Sequence, residues 1–153
     1  MKKIFVLFVC SLIVLASSAQ KVDKSNVPLE VKKMLFTKAN DTLTPVWEKT
    51  VDYYKATFTK GELKAEIQIK ENAEWIKTIW SLPYTYVPQK IKDNVLTAYP
   101  GAKVVSSTIQ YRTDGDYYII EAKKKKEIQL LYYSLKSEFI KIEPKVAVST
   151  NKL

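Results

Sequence analysis

A self-similarity at offsets of 60 and then 64 residues constrains this chain more than any single motif does. Val27-Pro28 recurs as Val87-Pro88, and the apolar spacing Val27, Val31, Leu35 recurs as Val87, Ile91, Val95. Residues four apart share one helical face and proline is tolerated at a helix start, so both stretches read as short helices. Asn40 and Asp41 stop the first helix, and Tyr99, Pro100 and Gly101 stop the second. Further along, Tyr53-Tyr54 aligns with Tyr117-Tyr118, and Glu74-Trp75-Ile76-Lys77 aligns with Glu138-Phe139-Ile140-Lys141.

The sequence between these anchors is of strand type. Leu63, Ala65, Ile67 and Ile69 alternate with Glu62, Lys64, Glu66, Gln68 and Lys70, the period of two of a strand with one apolar and one wet face. Lys60-Gly61 and Asp114-Gly115 supply residues suited to hairpin turns. The expected fold class is therefore α+β: two tandem repeats, each a short helix followed by three or four antiparallel strands, with the helices packed on one face of the sheet. The expected boundaries are a signal peptide over 1–19, a first repeat over 20–86, a second over 87–143 and a C-terminal tail over 144–153, with Pro83 to Val87 as the junction. A unit of sixty residues buries only about 60% of its unfolded surface, so the two are expected to share one sheet or pack closely.

The N-terminal expectation rests on three features: Lys2 and Lys3, an apolar run from Ile4 to Ala16, and the small residues Ser17, Ser18 and Ala19. Thirteen apolar residues at about 1.5 Å each fall short of a roughly 30 Å hydrocarbon core, so cleavage after Ala19 is expected and no transmembrane segment after it. Cys10 sits inside the apolar run, followed by Ser11, Leu12 and Ile13, which argues against a lipid attachment site. Removing Lys2 and Lys3 takes the basic count from 25 to 23 against 16 acidic residues, a net charge of +7. The remaining chain has no cysteine and no histidine, so packing and not disulfides must hold it together.

Val-Pro opening a short helix, Tyr-Pro-Gly-Ala-Lys-Val at Tyr99 to Val104, paired tyrosines opening a strand, and Phe-Ile-Lys-Ile at Phe139 to Ile142 follow one another in a recognisable order. Together they resemble the β-lactamase-inhibitor-like, PepSY-like family of bacterial periplasmic proteins, over about Val27 to Glu143 in two PepSY-like repeats. The resemblance implies a periplasmic or secreted module whose sheet faces a partner protein in an inhibitory or regulatory role.

The side-chain inventory bears on chemistry independently. Without His or a mature Cys, the Ser-His-Asp and Cys-His arrangements and the usual zinc ligand sets are unavailable. Asp114 and Asp116 flank Gly115, but the stretch lacks the further ligands and closing Glu of an EF-hand loop, and a hairpin turn is expected there. No catalytic residue, metal ligand or cofactor is expected, and the chain reads as a non-enzyme. Lys123 to Lys126 is read as a solvated turn guarding a strand edge, with lysine-mediated binding of an anionic polymer or membrane surface as the alternative. Arg112 is the only arginine, which disfavours nucleic acid as a partner. Asn40-Asp41-Thr42 fits a glycosylation acceptor and is read as a helix-ending loop.

The two copies differ most in one strand. Opposite Ile67 and Ile69 the first copy is charged, whereas in the second Ile128, Leu130 and Tyr132 stand opposite Leu131 and Tyr133. A strand apolar on both sides is either buried on both or offers a patch to a partner. On the second reading Tyr53, Tyr117, Ile119, Ile128, Leu130 and Tyr132 form the partner-binding surface, and the expected partner is an exported protein. The oligomeric state is left open.

Overall fold

In the computed structural model, residues 19–39 and 44–145 are described. The expected leader, apart from Ala19, lies outside the described residues. So do Asn40, Asp41, Thr42 and most of the expected tail. The described chain runs β1 (Gln20–Val22), α1 (Leu29–Ala39), β2 (Val46–Lys49), β3 (Tyr53–Lys60), β4 (Leu63–Lys70), β5 (Trp75–Leu82), α2 (Gln89–Ala98), β6 (Lys103–Arg112), β7 (Gly115–Lys124), β8 (Glu127–Ser134) and β9 (Phe139–Pro144).

These strands form one nine-stranded sheet in sequence order, β1 to β9, with every neighbouring pair antiparallel. This corrects the expected fold class. The chain is not two tandem helix-plus-strand repeats; among the described residues it is a single nine-stranded antiparallel sheet carrying two short α-helices, of 11 and 10 residues. The physical reason is β5–β6 pairing, which runs from Lys77↔Arg112 to Leu82↔Ser107 across the expected junction. That ladder satisfies the backbone groups that separate units would leave as two edges.

Local sequence explains each connection. The β3–β4 hairpin closes at Lys60↔Leu63 around Gly61, whose φ of +61° glycine adopts without a Cβ penalty. The connections after β4 and after β8 place Ala73 (φ +66°) and Ser137 (φ +62°) in the left-handed region. Each donates its N–H back into the turn, Ala73 to the Lys70 carbonyl at 3.0 Å and Ser137 to the Ser134 carbonyl at 2.9 Å. Pro28 and Pro88 precede the helices and lend their carbonyls to the first helical hydrogen bonds, from Lys32 at 3.1 Å and Lys92 at 3.2 Å.

Two apolar clusters hold the sheet. In one, Val27, Val31 and Leu35 are buried with Tyr54, Ala56, Phe58, Ala65, Ile67 and Ile69. In the other, Val87, Ile91 and Val95 are buried with Ile120, Ala122, Leu131 and Tyr133. The Tyr133 hydroxyl donates to Asn94 Oδ1 at 3.1 Å, and burial pushes its pKa up to about 12.

Three outcomes are expected. Ile67→Ala lowers stability by about 2–5 kcal/mol in denaturant unfolding, because the side chain is fully enclosed. Ala73→Gly raises stability by up to about 1 kcal/mol, since it relieves a left-handed alanine. For Tyr133, both folded and unfolded states keep the proton below about pH 10; between there and about pH 12 only the unfolded state releases it. Stability therefore falls across that window, and Tyr133→Phe flattens this part of the pH profile.

Candidate functional site

Side chains opposite the two apolar clusters project from the other face of the sheet, which carries no helix among the described residues. Register places them in rows across the strands. One row is Thr108, Ile119, Tyr132 and Lys141, taken from β6, β7, β8 and β9. The next is Ser106, Glu121, Leu130 and Glu143. On the other side lie Gln110 and Tyr117, then Arg112 facing Lys77 of β5. The rows enclose a cleft of about 340 Å³, lined among others by Lys77, Gln110, Arg112, Ile119, Leu130 and Tyr132.

Its floor is apolar and aromatic. Ile119 is 6% exposed and Tyr132 8%, although both lie outside the two apolar clusters. The Tyr132 ring meets Tyr117 edge to face, with centroids 6.0 Å apart at 82°, and the Lys141 ammonium sits 4.7 Å from its centroid. Arg112 lies 5.7 Å from the Tyr117 ring, and the Tyr117 hydroxyl donates to the Asp114 carbonyl at 2.9 Å.

The rim is charged and mostly paired. Lys141 contacts Glu143 at 2.8 Å, Lys145 contacts Glu121 at 2.8 Å, and Arg112 contacts Asp114 at 2.8 Å. The bond to Lys141 holds the Glu143 carboxyl below its ordinary range and keeps the Lys141 ammonium above its own. Burial, reinforced by the negative charge of Glu143, raises the Tyr132 hydroxyl. Lys77 stands directly opposite Arg112, whose charge Asp114 already meets, and among the described residues Lys77 has no carboxylate within salt-bridge distance.

Of the residues singled out in the sequence, Tyr117, Ile119, Leu130 and Tyr132 are brought together here. Ile128 lies further along β8, half-buried opposite Lys123, with its carbonyl accepting the Lys145 N–H at 2.9 Å. Tyr53 is not part of the group. It lies on β3, opposite Lys70 of β4 and four strands from β7, or roughly 19 Å at about 4.8 Å per strand. On that half the same face is polar, with Lys55 paired to Glu48 and the Gln68 amide donating to Glu66 at 2.6 Å. Sequence reading missed Arg112, Lys77, Lys141 and Glu143. Counting by twos outward from Gly115 would have put Tyr117, Ile119 and Glu121 on one face, but pairing between strands is what adds the charged rim. Lys123 and Lys124 end β7, and the turn itself is Lys125-Lys126. Among the described residues no three Asp or Glu side chains converge as a metal site requires.

The model of a family described as "putative beta-lactamase-inhibitor-like, PepSY-like" matches residues 52–141, and the chain belongs to that family. Solved structures with the same fold come from Bacteroides. A BLIP-like protein from Bacteroides fragilis is 14% identical, with 82% of this chain and 92% of that one covered at a TM-score of 0.67. A "putative periplasmic" protein from Bacteroides eggerthii is 16% identical, with 77% and 88% covered at 0.65. A DUF2874 family protein from Bacteroides uniformis is 16% identical, with 76% and 88% covered at 0.63. None of the curated proteins matches the chain.

Gly115 shapes one side of the cleft. Its φ is +138°, and a Cβ there would lie 2.6 Å from the Tyr117 hydroxyl. Gly115→Ala is expected to push Tyr117 off Arg112 and to lower stability by about 1–2 kcal/mol, read by denaturant unfolding together with the ring shifts of Tyr117 and Tyr132.

Proposed function

We propose that this chain is a periplasmic or secreted, non-catalytic module that binds another exported protein across the helix-free face of its sheet, in a regulatory or inhibitory role. The observation that carries the reading is the cleft over β6 to β8, with its aromatic floor and charged rim. Protein interfaces concentrate affinity in central aromatic and arginine anchors ringed by polar groups, and Tyr117, Tyr132 and Arg112 have that distribution. Lys77, which has no carboxylate within salt-bridge distance among the described residues, favours a partner that brings one to the rim. Localisation is supported by the leader pattern at 1–19 and by the periplasmic description of a protein with the same fold. The non-catalytic reading is supported by a rim whose carboxylates, Glu121, Glu143 and Asp114, are each engaged by a lysine or an arginine.

The test is capture from an envelope extract of the source cell, with wild type compared with Leu130→Asp and Arg112→Glu. Leu130 is half-buried and Arg112 sits on the rim, so both variants are expected to fold, as circular dichroism would register. A defined protein retained by wild type and weakened at least about tenfold by each variant is the expected result. Val51→Asp, on a residue 74% exposed and far from the cleft, should bind as wild type does. Equal retention by all four forms contradicts the reading.

A second reading has its own observation. Lys103 stands directly opposite Lys123, next to Lys124, Lys125 and Lys126, so like charges are held together at one end of β6–β7. An anionic polymer or membrane surface would relieve that repulsion. On this reading, binding of dextran sulfate or of anionic vesicles falls steeply with salt, as screening to about 8 Å at physiological ionic strength requires, and Lys103→Ala/Lys123→Ala abolishes it.

A further inference from the structure

The sheet ends in two edges of different character. β1 is three residues long with Lys21 at its centre, a short charged edge of the kind that resists pairing. β9 is six residues long, and among the described residues no strand pairs with its outer side. It exposes Phe139 (44%), Ile140 (45%) and Ile142 (41%).

The backbone of β9 fixes what that edge offers. The Lys145 N–H donates inward to the Ile128 carbonyl at 2.9 Å. Alternation then turns Glu143 and Lys141 inward toward β8 as well, and leaves the N–H and carbonyl of Ile142 and the carbonyl of Pro144 directed outward. Lys141 and Glu143 share the helix-free face, opposite Tyr132 and Leu130, while Ile142 stands opposite Leu131 on the other face.

A second copy approaching antiparallel about a two-fold axis has few registers available. Outward-directed residues must meet outward-directed residues, so the register can shift only in steps of two. A pair centred on Lys141 sets two lysines against each other, and one centred on Glu143 sets two glutamates against each other. Centring on Ile142 sets Lys141 opposite Glu143 of the second copy twice, sets Ile142 against Ile142, and lets the two Ile142 residues exchange both backbone hydrogen bonds. Pro144, with no N–H, ends the ladder there. The geometry points to β9 as a self-association edge: two copies of this chain pair antiparallel through residues 141–144, in the register centred on Ile142, with reciprocal Lys141–Glu143 ion pairs. The result is an isologous dimer in which the helix-free face, and the cleft on it, continues from one copy into the next.

Sedimentation velocity of the chain as exported, from low to high micromolar concentration, tests this. The wild type should shift from monomer to dimer with concentration, and the Ile142 amide should become more protected from hydrogen exchange in the dimer. Lys141→Glu and Glu143→Lys should each weaken association at least about tenfold, and combining them should restore it to within about threefold, because the swapped pair is again complementary. Lys21→Glu on the opposite edge should leave association unchanged. A wild type that stays monomeric throughout, single variants that associate normally, or a double variant as weak as the singles would each overturn the proposal.

Discussion

The β5–β6 ladder is the interaction on which the rest of the structure depends. Six consecutive pairs, from Lys77↔Arg112 to Leu82↔Ser107, join strands separated in sequence by α2 and its flanking turns. Without them each half would bury little apolar surface and expose two long edges. With them, the two apolar clusters are tied through one backbone network, and the helix-free face becomes continuous from β2 to β9. The same ladder places Lys77 beside Arg112, so the pairing that completes the fold also builds the cationic side of the cleft.

Along that continuous face the two halves have been put to different uses. Over β3 and β4, Lys55, Glu66 and Gln68 pair among themselves or with Glu48, giving a solvated surface whose charges are mutually satisfied. Over β7 and β8, Ile119 and Tyr132 are nearly as inaccessible as core residues even though no helix among the described residues covers them. They are enclosed by Tyr117, by the stem of Lys141 and by their neighbours across the strands. Aromatic rings already held in place by their surroundings lose little freedom when a partner lands on them, which makes such a surface economical for recognition.

Much of this was legible in the sequence because it is local. The alternation from Glu62 to Lys70 gave β4 and its buried face, and Gly61 marked the hairpin before it. Val31 and Leu35, and Ile91 and Val95, were found where helical spacing put them. The fold class was not legible, because self-similarity reports that two stretches resemble each other and carries no information about whether their outermost strands pair. Tyr53 shows the same limit at the level of one residue. Parity assigns it to the same face as Tyr117, but lateral distance depends on strand order, and four strands separate them. The charged rim was missed for the same reason: Lys77, Arg112 and Lys141 become neighbours only through register.

The central claim is that recognition occurs on the helix-free face over β6 to β8. Hydroxyl-radical footprinting of the chain with and without its bound partner measures this residue by residue. The account predicts protection concentrated at Tyr117 and Leu130, with exposed helix residues such as Leu96 and Leu29 unchanged. Protection of Leu96 or Leu29 with Tyr117 and Leu130 left as reactive as in the free chain would contradict it.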